Sequence, residues 1–212
     1  MDYDHQYYLI TEDECSGVYM LNESRKSDER LGIELLSEYS IKRLVRGRGH
    51  VHVTWGDDGN FSPCDYHRVS ATGLVSHKFK EVLVSFNLHG VEFYGADIEN
   101  NGNTWSDHYL IHIWQNYRVL HHGRSRIKGS YVDDEFTLEK ISLDERVLDD
   151  IPIEERLVFR MNEDVKYLYH ESVVAALRAA GLTGMRFVKV ADWSIGSAFT
   201  SEDEEDEFYD DL

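Results

Sequence analysis

A stretch that occurs twice constrains the fold more than any other feature of this chain. Residues 74–93 pass from Leu74 through Phe79, Leu83 and Phe86 to Asn87, Gly90 and Phe93. Residues 168–187 pass from Leu168 through Val173, Leu177 and Ala180 to Gly181, Gly184 and Phe187. In both copies the apolar residues recur at helical spacing, which lines them up on one face that must be buried. Asn87 and Gly181 follow the stripe, and these residue types adopt positive φ at least cost, so each helix is expected to stop there. Ser76 is a good N-cap for the first helix, and His170 stands in its place in the second. A Leu-x-Gly turn then leads into an alternating strand in each copy. The prediction is two similar helix-turn-strand units, about 74–95 and 168–190, which serve as scaffold rather than as active sites.

Elsewhere the pattern is mostly strand. Residues 6–10 and 17–21 read as short strands, and His50 to Trp55 alternates before a turn at Gly56 to Gly59. Residues 28–46 fit no period well, and Asp65 to Ser70 reads as extended. Val91 to Tyr94, Tyr109 to Trp114, Tyr117 to Leu120, Leu157 to Met161 and Val165 to Tyr169 are expected strands. Glu99 to Asn103 and Gly123 to Ser130 are expected loops, Asn162 to Asp164 a turn, and residues 133–156 small strand or turn elements ending at Pro152. The fold class is α+β, mostly antiparallel strands with the two helical units and few other helices. Residues 1–199 should form one body.

Charge narrows the partner. The chain carries 22 Lys and Arg against 40 Asp and Glu, a formal net charge of −18, which disfavours direct nucleic-acid binding and an anionic membrane. The same sign suits a basic protein partner, although acidity also serves solubility alone. Residues 200–212 hold Glu202, Asp203, Glu204, Glu205, Asp206, Glu207, Asp210 and Asp211 and no base, a self-repelling block expected to be disordered when free. Phe208 and Tyr209 within it are suited to anchoring in an apolar pocket of a partner. Two cysteines, Cys15 and Cys64, cannot build a disulfide framework, and no CxxC pair is present. The start lacks the features of a secretion signal and no run reaches membrane-spanning length, so a cytoplasmic location is expected.

Recognisable catalytic signatures are missing: no phosphate-binding glycine loop, no dinucleotide fingerprint, no nucleophile elbow. His50 with His52, His108 with His112 near Asp107, and the loop pair His121 and His122 could be imagined as metal ligands, but none has a decisive spacing, and ordinary half-exposed histidines are the better reading. The adjacent carboxylates Asp57 and Asp58, Asp133 and Asp134, and Asp149 and Asp150 read as solvated charge. Trp55, Trp105 and Trp114 read as packing residues rather than a sugar platform. No cofactor is expected.

Leu157 to Met161, with its Phe-Arg pair, followed by Tyr167 to Val188 with its Gly-Leu-Thr-Gly box at residues 181–184, resembles the C-terminal signature of immunity family eleven of the bacterial polymorphic toxin systems, originally a domain of unknown function. The resemblance extends to the opening at residues 7–9, the helix at 74–86 and the strand from Tyr109. It departs at His170, where the family usually has serine, and in the acidic tail. It implies a non-enzymatic protein that protects its producer by binding a cognate toxin and occluding its active surface. It supplies no catalytic residues, and Gly90, Leu182, Gly184 and Phe187 are fold positions within it. The tail acids with Phe208 and Tyr209 are the candidate toxin contacts. An enzyme that reverses a toxin's modification, or a generic acidic interaction module, are the alternatives, and the sequence leaves the oligomeric state open.

Overall fold

A computed structural model describes residues 2–13, 20–23, 48–55, 61–69, 72–130 and 135–198. The expectations for residues 28–46, for the turn after Trp55, for the carboxylate pairs at 57–58 and 133–134, and for the acidic tail lie outside the described residues. The strands are β1 (Tyr7–Glu12), β2 (Met20–Glu23), β3 (Gly49–Trp55), β4 (Tyr66–Val69), β5 (Thr72–Ser76), β6 (Val91–Asn100), β7 (Asn103–Ile113), β8 (Asn116–Tyr117), β9 (Arg126–Ser130), β10 (Glu135–Lys140), β11 (Val158–Met161), β12 (Tyr167–His170) and β13 (Met185–Lys189). The described α-helices are α1 (His77–Val84), α2 (Glu145–Asp149) and α3 (Glu171–Ala179).

The strands β2-β3-β6-β7-β5-β4 close into a barrel, β13-β1-β12-β11-β8 form a five-stranded sheet, and β9 pairs with β10. The sheets are mixed: β2 with β4, β3 with β6, and β8 with β11 run parallel, while other pairs such as β6 with β7 and β1 with β13 run antiparallel. The class is therefore α+β.

The two copies of the sequence repeat enter different sheets. The first is β5, α1 and β6 in the barrel; the second is β12, α3 and β13 in the five-stranded sheet. Their helices meet in one core with Phe79 and Leu83 of α1, Val173, Val174 and Leu177 of α3, Val75 and Ile111 of the barrel, and Tyr8, Val158, Tyr169 and Met185 of the sheet. Phe79, Leu83, Val173 and Leu177 are fully buried, each stabilising the fold by about 1.5–3 kcal/mol relative to exposure. The stripe of each helix thus joins barrel to sheet. Two further cores fill the barrel interior, around Val51, Leu74, Ile98 and Leu110, and the other face of the sheet, around Tyr7, Phe159 and Leu143.

The local stops follow residue chemistry. Ser76 Oγ accepts from the Phe79 N–H at 3.2 Å, and His170 Nδ1 accepts from the Ser172 N–H at 3.3 Å, so both residues cap their helices through the side chain. Asn87 and Gly181 take φ of 50° and 60°.

Residues 133–156, expected as small strand or turn elements, hold helix α2 as well as β10, and three strand boundaries also differ from expectation. Glu99 to Asn103 is no open loop: β6 and β7 continue until only Asn101 and Gly102 turn between them, both at positive φ, as an Asn-Gly hairpin requires. Gly123 to Ser130 ends in strand β9, whose Arg126 and Lys128 face solvent around a single packed Ile127, so its alternation carries little apolar signal. Tyr117 to Leu120 pairs only at Asn116 and Tyr117, with Leu120 making an isolated bridge to Leu143. Finally, Cys64 is disulfide-bonded. The chain's other cysteine, Cys15, lies outside the described residues.

Candidate functional site

The histidines singled out by sequence do separate structural work. His50 and His52 lie on neighbouring rings 6.3 Å apart, and His50 Nε2 sits 2.7 Å from a Glu99 carboxylate oxygen. His108 is buried, with Nδ1 2.9 Å from Asp107 Oδ1 and Nε2 3.1 Å from the Cys64 carbonyl. His67, on β4, accepts from the Cys64 N–H at 2.8 Å, so two imidazoles hold the two backbone groups of Cys64. His112 is buried and stacks on Tyr94. Among the described residues no group of three or more His, Cys, Asp or Glu could hold a metal ion.

The perturbed acids are likewise explained by the frame. Burial pushes the Asp65 carboxyl up, but hydrogen bonds from Ser76 and Thr183 outweigh it and hold the group below its ordinary value. Glu145 is held down to about 2 by the Arg124 guanidinium, which donates through Nη1 at 2.8 Å and Nη2 at 2.6 Å. Burial raises Tyr7 to about 12, while Arg156, itself buried, donates to the Tyr7 hydroxyl at 2.9 Å. Asp149 accepts from the Tyr3 hydroxyl at 2.6 Å, leaving Asp150 as its exposed neighbour. Trp105 packs edge-on against Phe61 at the barrel core, and Trp114 edge-on against His89. These contacts tie elements of the frame together.

Two surface features remain. On α2 and the turn after it, Ile153 is 42% exposed, and Asp149, Asp150, Glu154 and Glu155 are exposed around it in the chain. This segment exposes an apolar side chain close in the chain to several acids.

The second is a cleft of about 450 Å³ between β10 and the turn joining β11 to β12. Phe136, Thr137 and Leu138 form one wall, Asn162 to Lys166 the other, with Arg160 and Ile195 also lining it. In sequence Asn162 to Asp164 is only a turn, and a cleft made by residues distant in the chain has no periodic signal.

A family model for the immunity protein family (Imm11) matches residues 51–192. The chain belongs to this family. The Imm11 match runs from within β3 past β13, so it spans most of the barrel, the two repeat helices and the cleft wall at 162–166. No curated protein matches the chain. Among the described residues no helix is long and apolar enough to cross a membrane. The sequence-predicted toxin contacts, Glu202 to Asp211, lie beyond both the Imm11 match and the described residues.

Proposed function

We propose that the protein binds a cognate bacterial toxin in the cytoplasm and neutralises it by covering its active surface, without catalysing a reaction. Membership of the Imm11 family carries this reading. The formal net charge of −18 supports a basic toxin, since complementary fields accelerate encounter and select among partners. The exposed acids around Ile153 fit the same partner, with an apolar side chain to supply affinity and a charged rim to supply rate. The acidic residues 202–207, 210 and 211 with Phe208 and Tyr209 are proposed as a second contact of that kind.

The test is to recover the bound toxin from producing cells, express it alone and with the full chain, and score growth. Rescue together with salt-sensitive association of the purified pair is expected. Growth arrest in the presence of the full chain, or turnover of a toxin-modified substrate by the purified protein, refutes the proposal. Deleting residues 200–212 should slow association at low salt; an unchanged association rate removes the tail from the contact surface.

A further inference from the structure

The cleft between β10 and the β11–β12 turn is lined by a residue with an acceptor that no described residue uses. Glu163 Oε1 accepts from the Leu120 N–H at 3.3 Å, whereas Oε2 is buried and has no hydrogen-bond partner among the described residues. Lys166, on the same turn, is already paired with Asp164 at 3.3 Å and lies over the Trp193 ring at 5.2 Å. Arg160 also lines the cleft, yet gives Glu163 Oε2 no hydrogen bond. A desolvated carboxylate oxygen of this kind is costly until a donor, best a cationic one, reaches it.

Apolar surface lies beside it. Val165 is 44% exposed and Ile195 is 45% exposed, and both line this cleft. The volume of about 450 Å³ falls in the usual range of binding pockets, roughly 300–1,000 Å³. Cleft chemistry and net charge point the same way: one cation for Glu163, one aliphatic group for Val165 and Ile195, in the field of a strongly anionic protein.

We propose that this cleft docks a basic segment of a protein partner, with one Arg or Lys side chain drawn to the Glu163 carboxylate and one aliphatic side chain between Val165 and Ile195. The inference rests on the reading of this protein as a toxin binder for the partner's identity, but not for the chemistry of the cleft.

The test uses the full chain and three blocked synthetic peptides: one alternating leucine and arginine, the same peptide with glutamate for arginine, and one reproducing residues 200–212. Backbone amide NMR signals are followed at residues 136–138, 162–166 and 195. The arginine peptide should shift these signals at millimolar concentration while the other two do not. Glu163→Gln, whose amide oxygen can still accept from the Leu120 N–H, should weaken arginine-peptide binding about tenfold, and Glu81→Gln, an exposed acid on α1, should leave it unchanged. Shifts confined to other surfaces, equal binding of the glutamate peptide, or occupation by the 200–212 peptide overturns the proposal. If the protein protects no cell yet the arginine peptide binds here, the toxin reading fails and the cleft stands. If it protects and this region stays silent, the reverse holds.

Discussion

Asp65 and Thr183 are joined by three hydrogen bonds across 118 positions of sequence: the Asp65 carboxylate accepts from the Thr183 N–H at 2.9 Å and from its hydroxyl at 3.0 Å, and the Asp65 N–H donates to the Thr183 hydroxyl oxygen at 3.4 Å. The other carboxylate oxygen accepts from Ser76 at 2.6 Å, and Ser76 caps α1. One side chain therefore ties the start of the first repeat helix to the Gly-Leu-Thr-Gly turn after the second. The threonine of that box is a tertiary tether.

Replacing that carboxylate should be costly. Asp65→Asn turns an amide N–H₂ towards one set of donors and should destabilise the protein by about 2 kcal/mol at neutral pH in chemical denaturation. The folded carboxyl titrates below its unfolded value, so its contribution is complete above the unfolded pKa and is lost as pH falls through the folded one. The gap between variant and wild type should accordingly narrow below about pH 4. A gap that widens in acid contradicts the tether.

His170 caps α3 with an unprotonated Nδ1, which also lies 2.9 Å from the Ser172 hydroxyl. Burial lowers its pKa. For a histidine this means the unfolded chain takes up a proton first, so stability is full above the unfolded pKa and drains away as pH falls from about 6.5 towards the folded pKa. His170→Ser supplies a cap that does not titrate there. The variant should gain about 0.5–1 kcal/mol over wild type at pH 5 compared with pH 8, read from melting curves at the two pH values.

Gly181 and Gly184 should respond differently to alanine. Both have positive φ, but a Cβ on Gly181 meets nothing within 4 Å, whereas one on Gly184 lies 2.6 Å from both the Cys64 Cβ and the Tyr66 carbonyl oxygen. Gly181→Ala should cost about 1–2 kcal/mol of backbone strain. Gly184→Ala should cost more than about 3 kcal/mol, because backbone must move away from Cys64 and Tyr66. Equal losses would mean that the turn does not press against residues 64–66.

The disulfide at Cys64 predicts that a thiol-alkylating reagent leaves this residue unmodified in the unfolded, unreduced protein and labels it after reduction. Intact and peptide mass spectrometry distinguishes the two states. Labelling before reduction shows the thiol to be free.

Much of the local structure was legible. The stripes of Phe79 and Leu83 and of Val173 and Leu177 are buried, and Ser76, Asn87, His170 and Gly181 act at the helix ends where their side chains or φ preferences suit them. Strand β9 was missed because Arg126 and Lys128 face water, and the β6–β7 hairpin was shortened because Asn100 and Asn103 look like loop residues although they pair with each other. Nothing in the run from Asn162 to Asp164 announces that Glu163 reaches Leu120 or borders a cleft.

The sequence by itself determined where the two repeat helices begin and end, which of their faces must be buried, the acidic charge and the resemblance to an immunity family. Those properties are set by residue type and spacing within a few positions. Only the tertiary structure decided that the two repeat units enter different sheets, that Asp65 joins them, and that a carboxylate oxygen and two aliphatic side chains meet in one cleft. Pairing between distant segments depends on which surfaces fit together once the chain has closed, and periodicity along the chain does not encode that choice.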